Sequence, residues 1–150
     1  LFSVEFSTLV GTLAVVQPLI GRISDFIGRK GFIVIGMFSL APIILSEGLV
    51  TEPWQMILAR AIQGISAAMV LAPALALGGD LALKGQEGTQ LSVLTVSFGL
   101  GISFGAFMSG YAIRFGFITP FAIAAVLSVI GAVLVYLEVP GDEEVSAETD

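Results

Sequence analysis

Five apolar runs, separated by short polar stretches, set the limits on what this 150-residue chain can fold into. They cover about 1–20, 32–50, 53–78, 90–112 and 118–139. A helix crosses the roughly 30 Å bilayer core with about 20 mostly apolar residues. Backbone groups cannot stay unpaired in lipid, so such runs must be helices or strands of a closed barrel. Barrel strands need only about 10 residues of alternating character. These runs are longer and uniformly apolar, and they predict an all-α membrane protein with five transmembrane helices. Composition agrees: 12% of the residues are charged, against about 25% in a soluble domain, and the mean hydropathy is +1.01.

The breaks between runs carry the remaining polarity. The first polar loop is expected over 21–31 and the second over 46–54, with Thr51 capping the third helix, Pro53 in its first turn and Trp54 at the interface. Pro42 and Pro73 fall inside spans and predict kinks. Arg22, Arg29, Lys30 and Lys84 fall on one side of the membrane and only Arg114 on the other, which makes the first side cytoplasmic. Glu138, Asp142, Glu143, Glu144, Glu148 and Asp150 crowd the end of the chain. Residues 140–150 are therefore expected to be a disordered acidic cytoplasmic tail. The first residue is an apolar Leu1 rather than Met, and an odd number of spans suits part of a larger protein. With no histidine or cysteine and no paired acids within a span, an enzyme is not expected, nor is a metal site or a cofactor.

The stretch GRISDFIGRK holds three of the six Lys and Arg residues. A positive-inside loop explains Arg22, Arg29 and Lys30. It does not explain Gly21, Asp25 and Gly28 at their offsets. The two glycines allow sharp turns, and Asp25 lies four residues before Arg29, where a helical segment would pair them. The pattern resembles the signature loop of the major facilitator superfamily, with Ile23 and Phe26 departing from its usual residues. That resemblance implies most of one six-helix half of a facilitator bundle, with 21–30 as a gating loop.

Two further stretches fit the same family. In ILARAIQGISAAM, Arg60, Gln63, Gly64, Ala67 and Ala68 resemble the pattern of its fourth helix. Arg60 lies about 10 Å inside its helix, where a charge is costly unless it meets a cavity or a partner. It either faces a cavity with Gln63, Gly64 and Ser66 or Ala67, or its stem snorkels to the interface. The resemblance implies a part in proton coupling. In GLGISFGAFMSG, Gly101, Gly105 and Ser109 recur every four residues, with Gly110 beside them. Small residues at that spacing let helices approach closely in lipid. The stretch resembles the family's antiporter motif, but Ala106 and Ser109 replace its proline and a glycine, so packing alone also explains it. Glu5 is either a protonation site or an interfacial acid.

Two registers fit the resemblance, helices two to six or eight to twelve. The acidic tail and the altered antiporter motif favour the C-terminal half. The implied function is a secondary transporter of small molecules in the plasma membrane. Its expected partners are a small-molecule substrate, a proton or other ion gradient, the lipid bilayer and the remaining half of the transporter, with no nucleic acid. The look of residues 17–30 and 72–82 resembles drug-efflux members. Uptake of a metabolite or sugar by symport is the alternative, as is a truncated membrane protein that transports nothing.

Overall fold

The computed structural model describes residues 2–82, 85 and 87–139. Leu1, Lys84 and the acidic residues 140–150 lie outside them. The described residues form five long helices: α1 (Phe2–Ile27), α2 (Arg29–Glu47), α3 (Pro53–Asp80), α4 (Glu87–Ala112) and α5 (Thr119–Glu138). A short 3₁₀ turn, Ile113–Phe115, joins the last two. All five are long and apolar enough to cross a membrane.

The side chains are distributed the opposite way from a water-soluble core. Most buried positions are small: Ala41, Ala59, Ala68, Ala125 and Ala132, with Gly36, Gly64 and Ser66, beside the larger Ile33, Pro73 and Leu77. The bulky apolar residues face outward, with Phe26 90% and Ile102 73% exposed. Lipid solvates those side chains as well as a protein interior does, so helices associate where small residues let their backbones meet. α3 is the hub, lying along α1 on one side and α2 on the other, and α2 also packs along α5. α4 touches α3 and α5 only lightly, and α1 barely meets α2 despite directly preceding it in sequence.

Gly64 and Gly36 explain the two hub seams. A methyl group at Gly64 would stand 2.7 Å from the Leu9 carbonyl oxygen and 2.9 Å from Thr12 Cβ. One at Gly36 would stand 2.9 Å from Met69 Cβ and 3.1 Å from the Ser66 carbonyl oxygen. At the second seam the Ser39 hydroxyl donates to Ser66 Oγ at 3.0 Å. The α2–α5 seam is bridged by Ser128, whose hydroxyl donates to the Met37 carbonyl oxygen at 2.7 Å.

The first break is shorter than the polar residues suggest. α1 continues through Gly21 to Ile27, and α2 starts at Arg29. Only Gly28 leaves the helix, with φ 121°, a conformation that L side chains rarely adopt. Gly21 is helical and has room for a methyl group, its nearest neighbour being Ala72 Cβ at 3.9 Å. The charged residues of 21–27 ride on a helix end because nothing in their backbone preference stops it. At the start of α3 the N-cap is Glu52 and not Thr51. Pro53 occupies the first turn, and the Gln55 side chain accepts from the Glu52 backbone N–H at 3.4 Å.

Candidate functional site

Two polar clusters sit at opposite ends of the bundle. At the Gly28 end, Arg29 opens α2 while Asp25 lies in the last turn of α1 and Asp80 closes α3. Arg29 Nη2 is 2.9 Å from Asp25 Oδ1, its Nε donates to the same oxygen at 3.0 Å, and Nη1 pairs with Asp80. Each of the three charges stands on the helix end that repels it. Acids are unfavourable near a C-terminus and cations near an N-terminus, by about 0.3–1 kcal/mol apiece. Pairing them offsets all three penalties and ties α1, α2 and α3 together. Asp80 was not singled out in the sequence, although an acid expected at a helix C-terminus is a signal that a cation must lie nearby. Lys30 turns the other way, over the Tyr136 ring of α5 at 5.5 Å. Arg22 points outward, and Ser24 is fully buried, its hydroxyl bonded to the Gly21 carbonyl at 2.8 Å.

At the other end, Arg60 Nη1 lies 3.1 Å from Glu47 Oε2 and donates to Gln63 Oε1 at 2.6 Å. Helical side chains lean toward their own N-terminus, so Arg60 slants toward the α2–α3 connection and meets the last residue of α2. The guanidinium is 27% exposed and the carboxylate only 2%. These three residues line one end of a cavity of about 360 Å³. Its other walls are Ile44 of α2, Gly105, Met108 and Ser109 of α4, and Phe117, Phe121 and Leu127 at and within α5. The site is an apolar chamber with one charged, hydrogen-bonded end, an arrangement suited to an amphipathic molecule.

The sequence-derived site residues separate into several places. Arg60 and Gln63 line the cavity together. Gly64 does not; it is buried against the α1 backbone. Ser66 is buried against Ser39 of α2, and neither it nor Ala67 lines the cavity. Gly105 and Ser109, expected to pack helices, line the cavity. Gly101 borders a shallow groove on α4, and a methyl group at Gly101, Gly105 or Gly110 would meet nothing within 4 Å. Glu5 is half-buried on α1, within electrostatic range of Glu47. Glu47 itself was missed, because it reads as the edge of a polar connection. The signal was an acid ending one helix just before an arginine set inside the next.

The fold and these clusters define a class: a polytopic helical membrane protein with a charged pair set into its wall. The sequence pattern of the Major Facilitator Superfamily matches residues 2–150, and the chain belongs to that family. Among its relatives, the inner membrane transport protein YajR of Escherichia coli (strain K12) is 34% identical over 131 residues, covering 86% of this chain and 28% of that protein. Multidrug resistance protein 2 of Bacillus subtilis (strain 168) is 29% identical over 83% of this chain and 32% of its own length. The class B tetracycline resistance protein of Escherichia coli is 28% identical over 84% of this chain and 32% of its own. The chain thus spans about a third of the length of the curated relatives it matches.

Proposed function

We propose that this chain is part of a secondary transporter that exports small amphipathic compounds in exchange for protons by alternating access. The observation that carries the reading is the Arg60–Glu47–Gln63 cluster in the wall of an apolar cavity. A membrane-embedded charge is costly and is kept where it serves an ion or substrate path. Facilitator transporters bind substrate near the midplane between two halves that rock about it. The faces of α1 and α4 that carry exposed small and apolar residues suit contact with the half this chain does not form. The Arg29 triad suits a clamp at the Gly28 end that favours the opposite opening. The gathering of Arg22, Arg29 and Lys30 there supports a cytoplasmic orientation in the plasma membrane.

Export rather than uptake is supported by relatives whose names denote drug or tetracycline resistance. The test is to reconstitute the full-length protein in vesicles with a trapped pH indicator and add ethidium, a lipophilic cation. Proton movement coupled to ethidium is expected. Ethidium movement without proton flux would remove the coupling, and neither movement would remove the export reading.

A further inference from the structure

We propose that Lys30 and Tyr136 form a binding site for the headgroup of a net-negative glycerophospholipid in the cytoplasmic leaflet. Three basic residues gather at the Gly28 end, and the structure uses each differently. Arg29 is held by Asp25 and Asp80. Arg22 points outward from α1. Lys30 reaches from the first turn of α2 to the last turn of α5, with its ammonium 5.5 Å from the centre of the Tyr136 ring. Among the described residues, no carboxylate pairs with it. A ring face covers one side of an ammonium and leaves N–H donors for an acceptor on the other. Glu138 is two residues beyond Tyr136, and about 100° per residue turns it to another face of α5.

The contact belongs to the bundle and not to one helix. Lys30 and Tyr136 meet only because α2 packs along α5. At the opposite end Arg114 lies over Tyr111 at the same 5.5 Å, but those two are neighbours along the chain, and local spacing alone brings them together. The surroundings of Lys30 suit a lipid. Tyr136 is 64% exposed, at the level where interfacial aromatics meet headgroups. Gly31 is exposed, and a methyl group there would meet nothing within 4 Å, which leaves open space beside Lys30. Further into the membrane, Ile35 of α2 and Val133 of α5 are exposed and offer apolar surface to acyl chains. A phosphodiester can accept from both the Lys30 ammonium and the Tyr136 hydroxyl. A headgroup that carries its own ammonium gains less from a lysine than one with net negative charge. A free phosphate would meet the same two groups and leave the apolar surface uncovered. The inference goes beyond the export reading and does not depend on it.

The test titrates the purified full-length protein in detergent with phosphatidylglycerol or phosphatidylcholine and reads the bound lipid by native mass spectrometry. Wild type is expected to bind phosphatidylglycerol about fivefold more tightly, the factor for one lysine near an anionic headgroup. Lys30→Gln is expected to erase that preference and Tyr136→Leu to reduce it, while Arg22→Gln leaves it in place. Melting curves without lipid confirm that each variant is folded, and Tyr136→Phe, which loses only the hydroxyl, replaces Tyr136→Leu if the latter is not. Equal binding of the two lipids by wild type overturns the proposal. So does an equal loss in Arg22→Gln and Lys30→Gln, which is diffuse attraction to a basic end and not a site. A preference that the Tyr136 variant leaves untouched overturns it as well. Excess inorganic phosphate is expected to leave the lipid bound, and displacement by it would overturn the lipid assignment in favour of a free anion. No arm of this test reads transport, so its failure and the failure of ethidium export are separate results.

Discussion

Gly64→Ala tests whether the hub of the bundle depends on backbone-to-backbone contact. The new methyl group would lie 2.7 Å from the Leu9 carbonyl oxygen, 2.9 Å from Thr12 Cβ and 3.2 Å from the Leu13 nitrogen. Non-bonded carbons rest at about 3.5–4.0 Å, so α1 must withdraw by roughly 0.6–0.8 Å. The contacts are backbone and a Cβ, which cannot swing aside as a side-chain tip can. Overpacking of this kind costs about 1–3 kcal/mol. Alanine's better helix propensity offsets about 1 kcal/mol, leaving a net loss of up to about 2 kcal/mol. The control is Gly31→Ala, where a methyl group meets nothing within 4 Å. Thermal unfolding of the purified full-length protein in detergent should show Gly64→Ala melting several degrees below both the control and the wild type. A Gly64→Ala protein as stable as Gly31→Ala would refute the close-contact account of the α1–α3 seam.

Other outcomes follow from the charged clusters and the α2–α5 seam. Arg29→Gln leaves Asp25 and Asp80 unpaired on helix C-termini and should destabilise by about 1–2 kcal/mol in thermal melts. Asp80→Asn removes a penalty along with a pair, so its melting point should stay close to wild type. Asp25→Asn should lower transport while membrane insertion, read by fractionation, is retained. Arg60→Gln strands the Glu47 charge and should cost about 3–5 kcal/mol, much of it recovered in the double variant with Glu47→Gln; melting curves of the three variants decide this. Ser128→Ala removes the bond to the Met37 carbonyl and should cost about 0.6 kcal/mol, a typical value for interhelical hydrogen bonds in membranes.

The five spans were legible because lipid demands long apolar helices, and length and hydropathy are read directly from residues. The triad was half legible. Asp25 and Arg29 are four apart, but Asp80 lies across the bundle, and pairing over that distance depends on how helices pack. Gly21 and Gly28 looked alike in sequence, yet only Gly28 needs positive φ. Helical spacing puts Arg60, Gln63 and Gly64 on one broad face, at about 100° per residue. Within that face the arginine and glutamine turned to the cavity and the glycine to α1. Periodicity resolves faces too coarsely to separate a seam from a cavity that adjoins it. The same coarseness hid the lining role of Gly105 and Ser109, since small residues suit both close packing and open space.

The α2–α5 seam has a consequence for how the bundle is assembled. Ser128 and Met37 are 91 positions apart, and α3 and α4 must both be threaded before they can meet. Helices that enter the membrane in chain order leave α2 with one flank against α3 and the other bare until α5 arrives. Met37 suits that wait, because its flexible thioether tip can lie over the α2 surface and then yield to Gly131, where a rigid side chain would have to be displaced. α5 thus closes this seam as a clasp rather than extending the bundle as a link. Shortening the chain before Thr119 should therefore loosen its second helix more than its fourth.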